Sequence, residues 1–312
     1  MNKTTQSDLL LIVVTLIAAI SWMFSKEAIA LMPPLLFMGL RFLLAAAFLA
    51  CIGTKKLRQL TREHIVRSAR VGIIFGGAML FWVLGLAHGE SMGEGAFLTS
   101  LGVLLVPIVA RVFFAEPMPR STWLALPIAL IGVALLSLAH GFTVSSGQAL
   151  YVVAAIGIAI YFTLNTRAAT VSISQVSGQR SAVELSAVDP LALTIIALTS
   201  VGLVALGASF FSEPWTAAAV QWSPSLFGWI VASAVIGTAG RFWLQTYAQS
   251  LTTQTSGAVI LILEPIWVAL FAAVWFAETL DVLQWLGCLV IFLALLVNRW
   301  QVLRSIVKLR GI

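Results

Sequence analysis

The sequence predicts an all-α integral membrane protein of ten transmembrane helices, arranged as two inverted five-helix repeats. Three observations predict it: the composition, the spacing of the apolar stretches and a repeat about 162 residues long. Sixty per cent of the 312 residues are hydrophobic and 10% are charged, against about 25% charged in an ordinary soluble domain. That inventory cannot build a surface that faces water on all sides, so the bilayer has to be the solvent. The repeat reads directly from the chain. Ala115-Glu116 followed by Trp123-Leu124 returns as Ala277-Glu278 followed by Trp285-Leu286; Gly95-Ala96 returns as Gly257-Ala258, and Phe81-Trp82 as Phe242-Trp243 at an offset of 161. A duplication of this length in so apolar a chain points to two related halves of one membrane body, residues 1–140 and 141–312.

A helix needs roughly 20 apolar residues to cross the hydrocarbon, and charge, proline and polar clusters divide the chain into ten such stretches. The first, 8–29, follows the single Lys3 and contains no small-residue cleavage pattern, so it reads as a retained span rather than a signal peptide. Pro33-Pro34 opens 35–54, which Lys55-Lys56 closes. A basic cluster ending at Arg70 introduces 69–88. The next three spans are 94–114, 121–139 and 147–168. A loop from Ala169 to Val188, without a counterpart in the first half, precedes 189–211. The last three are 225–248, 256–276 and 281–299. Connections of a few residues make neighbouring spans antiparallel, and no stretch shows the alternation of a barrel strand.

Basic residues orient the spans. With the amino terminus inside, the cytoplasm receives Lys3, six residues from Lys55 to Arg70, Arg111 and Arg120, Arg167 and Arg180, and four from Arg299 to Arg310. These are 15 of the 18 lysines and arginines, the bias of positive cytoplasmic loops. Both termini are therefore expected in the cytoplasm, the second with a short tail. A pI near 9.8 is explained by topology, not by a nucleic-acid partner. Five spans per half is an odd number, so the halves enter the membrane with opposite orientation. Glu116 and Glu278 then fall on opposite sides.

Charge within the spans is the sharpest functional signal, because it costs about 2.5 to 3.5 kcal/mol at a helix centre on insertion scales. Arg41, Arg241 and Glu264 qualify. At about 1.5 Å per residue, Glu264 lies roughly 13 Å into span 9 from its cytoplasmic start and Arg241 about 10 Å from the cytoplasmic end of span 8, so they can pair. The pair could lock two spans together, or it could face a cavity and meet substrate or a coupling proton. Arg41 lies about 9 Å below the outer surface, within snorkelling reach. Glu90 and Glu94 are expected to be solvated or paired with Arg41 or Lys26. Thr238, Arg241, Gln245 and Gln249 share one face of span 8, a polar stripe that has to meet protein or water. Trp22 and Tyr161 occupy matching places in spans 1 and 6, as do Trp82 and Trp243 in spans 3 and 8. The candidate substrate-binding residues are thus Trp22, Arg41, Trp82, Tyr161, Arg241, Gln245 and Glu264. Gly72 and Gly76 permit close helix approach, and Pro107 and Pro265 are expected to kink spans 4 and 9.

Gln245-Thr-Tyr-Ala-Gln249, Ser256-Gly-Ala-Val-Ile260, Leu263-Glu264-Pro265 and Ala277-Glu278 in the second half resemble the EamA-type family of the drug/metabolite transporter superfamily. So do Leu40-Arg41-Phe42, Gly95-Ala-Phe-Leu-Thr99, Val106-Pro107 and Thr122-Trp123-Leu124 in the first. The resemblance implies a bacterial inner-membrane exporter of small metabolites or drugs with a central cavity, and it implies no particular substrate.

The expected function is a secondary transporter, driven by a gradient, for amino-acid-like or other small polar or aromatic solutes. No phosphate-cradling Gly-x-x-x-x-Gly-Lys-Ser/Thr loop occurs, so an ATP-binding module is not expected. The expected partners are the bilayer, a small-molecule substrate and protons, with no cofactor. The alternatives are a lipid-modifying enzyme or a structural scaffold. His64, His88 and His140 fall at loops or helix ends without a paired acid or nucleophile, and Cys51 and Cys288 lie in apolar stretches without metal-ligand spacing.

Overall fold

The computed structural model describes residues 3–115, 120–139, 145–169, 172–174, 183–185, 187–216, 219–250, 260–298 and 300. In the first half these form α1 (Lys3–Ile29), α2 (Pro34–Leu57), α3 (Arg62–His88), α4 (Met92–Phe114) and α5 (Arg120–Ala139). In the second half they form α6 (Ser146–Ala169), α7 (Pro190–Ser212), α8 (Pro224–Ala234), α9 (Arg241–Ser250), α10 (Glu264–Phe276) and α11 (Val282–Asn298). A π turn, Val235–Gly240, joins α8 to α9 into one rod, and a 3-10 turn, Leu261–Leu263, leads into α10. Among the described residues seven helices are long and apolar enough to cross a membrane; Arg120–Leu135, Glu264–Phe276 and Val282–Asn298 are shorter apolar helices. Large apolar side chains face outward along them, Phe211 and Val274 each 87% exposed, as lipid contact requires and water would oppose.

The membrane body is all-helical as expected, and within the loop between α6 and α7 the segments Ser172–Ser174 and Val183–Leu185 pair antiparallel, with Ile173 opposite Glu184. Both segments alternate polar and apolar residues with the period of a strand. Two expectations need correction. Helix α3 starts at Arg62 and not near residue 69, because Thr61 caps it, its hydroxyl accepting the His64 N–H at 3.3 Å. Charge marks where hydrocarbon begins, whereas the cap marks where the helix begins. Pro265 does not kink a helix interior; it stands in the first turn of α10, where a missing N–H costs nothing. Pro107 does lie inside α4. Glu116, Arg180, Ser256 to Val259, Arg299 and Arg304 to Arg310 lie outside the described residues.

Helix packing follows an exchange of the two halves. With α8 and α9 counted as one rod, α1 to α5 correspond in order to α6, α7, α8–α9, α10 and α11. Helix α3 packs on α6 as α8–α9 packs on α1, and α4 packs on α6 as α10 packs on α1; α2 with α7 and α5 with α11 map onto themselves. The last two pairs carry the direction. Gly39 of α2 lies beside Leu206 of α7, and Gly53 beside Ile195, so one helix ascends as the other descends. Gly132 meets Ile291, and the Ser121 hydroxyl donates to the Asn298 carbonyl at 2.9 Å, so α5 and α11 are antiparallel too. Corresponding helices that run antiparallel require one half to be inverted with respect to the other.

Small residues set the closest crossings. A Cβ on Gly72 would sit 2.6 Å from the Ala197 carbonyl oxygen and 2.7 Å from the Ala197 Cα. Nothing larger fits unless the backbones of α3 and α7 part.

One end of the bundle, holding the α1–α2 and α3–α4 connections, is fastened by carboxylates from the second half. Glu213, just after α7, accepts the Leu35 N–H at 2.8 Å and the Leu36 N–H at 2.9 Å at the start of α2. Glu278 accepts the Met92 N–H at 2.8 Å and the Ser91 hydroxyl at 3.1 Å at the start of α4. Each anion satisfies otherwise unpaired helix N–H groups and complements the dipole. The repeated Ala-Glu pair thereby acquires a local meaning. Ala115 and Ala277 both take left-handed φ, 55° and 51°, and each stops its helix; in the second half the glutamate that follows reaches α4.

Gly72→Val is expected to force α3 from α7 at about 1–3 kcal/mol and to reduce folded protein in the membrane, measured by fluorescence-detected size exclusion. Glu278→Ala should lower the melting temperature of the purified protein, and Glu278→Gln, which keeps an acceptor, should lower it less.

Candidate functional site

The polar stripe on the eighth rod meets α1, α2 and α10 at the centre of the bundle. Arg41 of α2 is 3% exposed. Its Nε donates to Thr238 Oγ1, its Nη1 to Ser25 Oγ and its Nη2 to Ser21 Oγ, each at 2.6 Å, and Nη2 also reaches the Gly237 carbonyl at 3.5 Å. The guanidinium lies over the rings of Phe37 and Phe42, 5.8 and 5.6 Å from their centroids. It does not snorkel. Three hydroxyls and two aromatic faces replace the water it would otherwise seek.

The π turn makes this possible. Thr238 donates its own hydroxyl to the Ser233 carbonyl at 2.9 Å, five residues back, so its lone pairs face Arg41. By the offset of 161 the matching stretch of the first half, residues 74–79, lies within the regular helix α3. A π turn often marks a functional position in a helix. Beyond it, Arg241 Nη2 donates to Glu264 Oε2 at 2.9 Å, and Trp22 Nε1 donates to Glu264 Oε1 at 3.3 Å. Both charged side chains are about one-fifth exposed, 19% and 20%, although neither lies on the outer surface.

What they face is a central cavity of about 900 Å³, its open mouth included. It brings together Trp22, Arg41, Trp82, Tyr161, Arg241, Gln245 and Glu264, all seven candidates from the sequence. Trp22 and Trp82 meet edge to face at 4.7 Å, and Tyr161 stacks on Phe75 at 3.9 Å with 15° between the planes. Trp243, the repeat counterpart of Trp82, instead points outward, 44% exposed, and its neighbour Phe242 takes the cavity position. Phe42, Phe75, Phe242, Thr99 and Ser100 also border the cavity. Their spacing alone does not separate them from packing residues. The Gln249 side chain lies outside what is described.

Two buried atoms in this wall have no protein partner: Gln245 Oε1 and Arg241 Nε. An orphaned buried polar atom costs about 1–3 kcal/mol. Glu94 is not solvated. It is 3% exposed and accepts from the amides of Gln148 and Gln284, while Lys26 donates to the Leu86 carbonyl at 3.2 Å. Cys51 and Cys288 are both free, and among the described residues no His, Cys, Asp and Glu group has metal-binding geometry.

Arg41→Ala should remove the bonds that tie α1, α2 and the π turn together and lower the melting temperature of the purified protein, with a cost on the order of 2 kcal/mol or more. Thr238→Val, which removes one of the guanidinium's bonds and the bond to the Ser233 carbonyl, should lower it less.

A model of the EamA-like transporter family matches this chain twice, over residues 5–138 and 145–300. No curated protein matches. A solved structure described only as a crystal structure of a protein aligns with a TM-score of 0.61 over 95% of this chain and 96% of that one, at 16% identity. At that identity the likeness shows the fold alone. The tandem match spans both inverted halves and the cavity between them, and on that ground this multi-pass helical chain belongs to the EamA-like transporter family.

Proposed function

We propose that this protein is a secondary carrier that exports small metabolites or drugs across a bacterial inner membrane by alternating access, and that it is not an enzyme. In this reading all ten apolar helices span the bilayer, with α8 and α9 as one, and both termini are cytoplasmic. The cavity supports the reading most directly: charged and unpartnered polar groups gather inside an apolar bundle, between halves of opposite orientation. Rocking one bundle against the other about such a site exposes it to each side in turn. In this topology the carboxylate-fastened end is the outer one. The aromatic contact of Trp22 with Trp82 and with Tyr151, 4.7 and 5.9 Å between centroids, lies between that end and the Arg241–Glu264 pair.

A gradient supplies the energy. Glu264 is the proposed proton carrier, because one of its oxygens is held by Arg241 and the other by the Trp22 indole. Protonation would loosen the bond between Glu264 and Arg241, so proton and substrate act on one pair.

Metabolite profiles of cells lacking and overproducing the protein should differ in opposite directions for the exported compound; identical profiles would reject export. In vesicles, Glu264→Gln should retain downhill exchange of that compound and lose its acceleration by an imposed pH gradient. Equal acceleration in wild type and variant would remove Glu264 from the coupling role.

A further inference from the structure

We infer that the cargo is an organic monoanion with an aromatic or similarly apolar body and a hydrogen-bond donor. This rests on the carrier reading of the cavity and adds the chemistry of its occupant.

The wall charge comes first. Three charged side chains border the cavity, and Arg241 and Glu264 neutralise each other at 2.9 Å. Arg41 is held by the oxygens of Ser21, Ser25, Thr238 and Gly237, all of them neutral. The wall therefore carries one net positive charge in a medium of low dielectric, where charge acts strongly and over a long range. The nearby acids are engaged elsewhere. Glu94 lines a separate small pocket and takes the Gln148 and Gln284 amides. Glu278 caps α4, and Glu27 accepts the Trp275 indole N–H at 3.0 Å. A cationic cargo would meet Arg41 and could reach Glu264 only by displacing Arg241, leaving two uncompensated guanidiniums. An anion meets no such conflict.

The unpartnered atoms then specify the polar edge of the cargo. Arg241 Nε, a buried donor, calls for an acceptor such as a carboxylate oxygen, and Gln245 Oε1, a buried acceptor, calls for an N–H or O–H. The remaining wall is aromatic, with the Phe75–Tyr161 stack and the Trp22–Trp82 pair presenting flat apolar surface.

Four compounds on one ring test this by equilibrium dialysis against the purified protein: 4-hydroxyphenylacetate, tyrosol, tyramine and 4-methoxyphenylacetate. They are respectively an anion with a donor, a neutral molecule, a cation, and an anion without the donor. The hydroxylated anion should bind about tenfold or more tighter than the cation, with tyrosol between them. Its methyl ether should bind about two- to tenfold more weakly than the parent, the range of one hydrogen bond. Gln245→Leu should abolish the difference between the two anions while leaving anion preferred over cation. Tyramine binding as tightly as the anion, or none of the four binding to protein that retains its melting transition, overturns the cargo class. Neither result touches the carrier reading, which fails only on the metabolite comparison. If that comparison identifies an exported cation, the carrier stands and the monoanion falls.

Discussion

The rest of the structure is organised around a guanidinium with no counterion. Arg41 brings a positive charge into a bundle whose exterior is hydrocarbon, where every polar group must be satisfied from within the protein. No single helix can do that. The side chain draws two hydroxyls from α1, one from the π turn and a backbone carbonyl from the same turn, which ties one helix pair of the first half to one rod of the second. The π turn sets the rotational phase of everything after it. Arg241 and Gln245 project into the cavity from a helix that begins where the turn ends, so the knot at Arg41 and the pair at Glu264 are parts of one arrangement.

Duplication built the scaffold, and departures from duplication built the site. By the repeat offsets Arg241 stands opposite Leu80 and Glu264 opposite Gly102. Gly102 packs on the α6 backbone, where a Cβ would come within 2.9 Å of the Ala155 carbonyl, so a side chain at that place in the first half would prevent close packing. In the second half the same place carries a carboxylate that faces the cavity. Symmetric halves can exchange conformations at little cost, because each closed state resembles the other inverted. In the proposed carrier an asymmetric charge pair gives that exchange something to discriminate, since substrate and proton would meet the pair only on one side of the symmetry axis.

Much of this was legible in the sequence because hydrocarbon imposes a strict grammar. Apolar stretches bounded by charge gave most helix positions to within a few residues; at the start of α3 a threonine cap in water rather than the hydrocarbon boundary decides, and the expected start of span 9 at 256 lies outside the described residues. Intramembrane Arg41, Arg241 and Glu264 stood out because their cost demands a partner or a cavity, and all three border one. The illegible features share a cause. The π turn depends on Arg41, 197 residues from Thr238, and no local pattern signals it. Phe42, Phe75 and Phe242 differ from Phe37 only in what they face, which helix phase fixes in three dimensions. Glu94 carried the wrong expectation because its depth along the chain suggested a surface, whereas Gln148 and Gln284 close over it from two other helices.

The two kinds of polar contact differ in what their rupture costs, and that difference constrains how the bundle can move. The caps made by Glu213 and Glu278 lie at helix ends, where water can replace a lost N–H partner, so breaking them exchanges one hydrogen bond for another at a net cost of about 0.5–1.5 kcal/mol each. The bonds around Arg41 lie among buried side chains, and separating them would leave a buried charge without its partners, at several kcal/mol. A motion that opens the fastened end must therefore release the caps and leave the Arg41 knot intact. The moving boundary then passes between α10 and α4, which Glu278 joins, and not through α1, α2 and the π turn, which Arg41 joins. Glu264 sits at the beginning of the helix that ends at Glu278, so loss or gain of its bond to Arg241 is felt by the same rigid segment that carries the cap. In the proposed carrier a change of charge in the cavity would, through that segment, become a change at the surface.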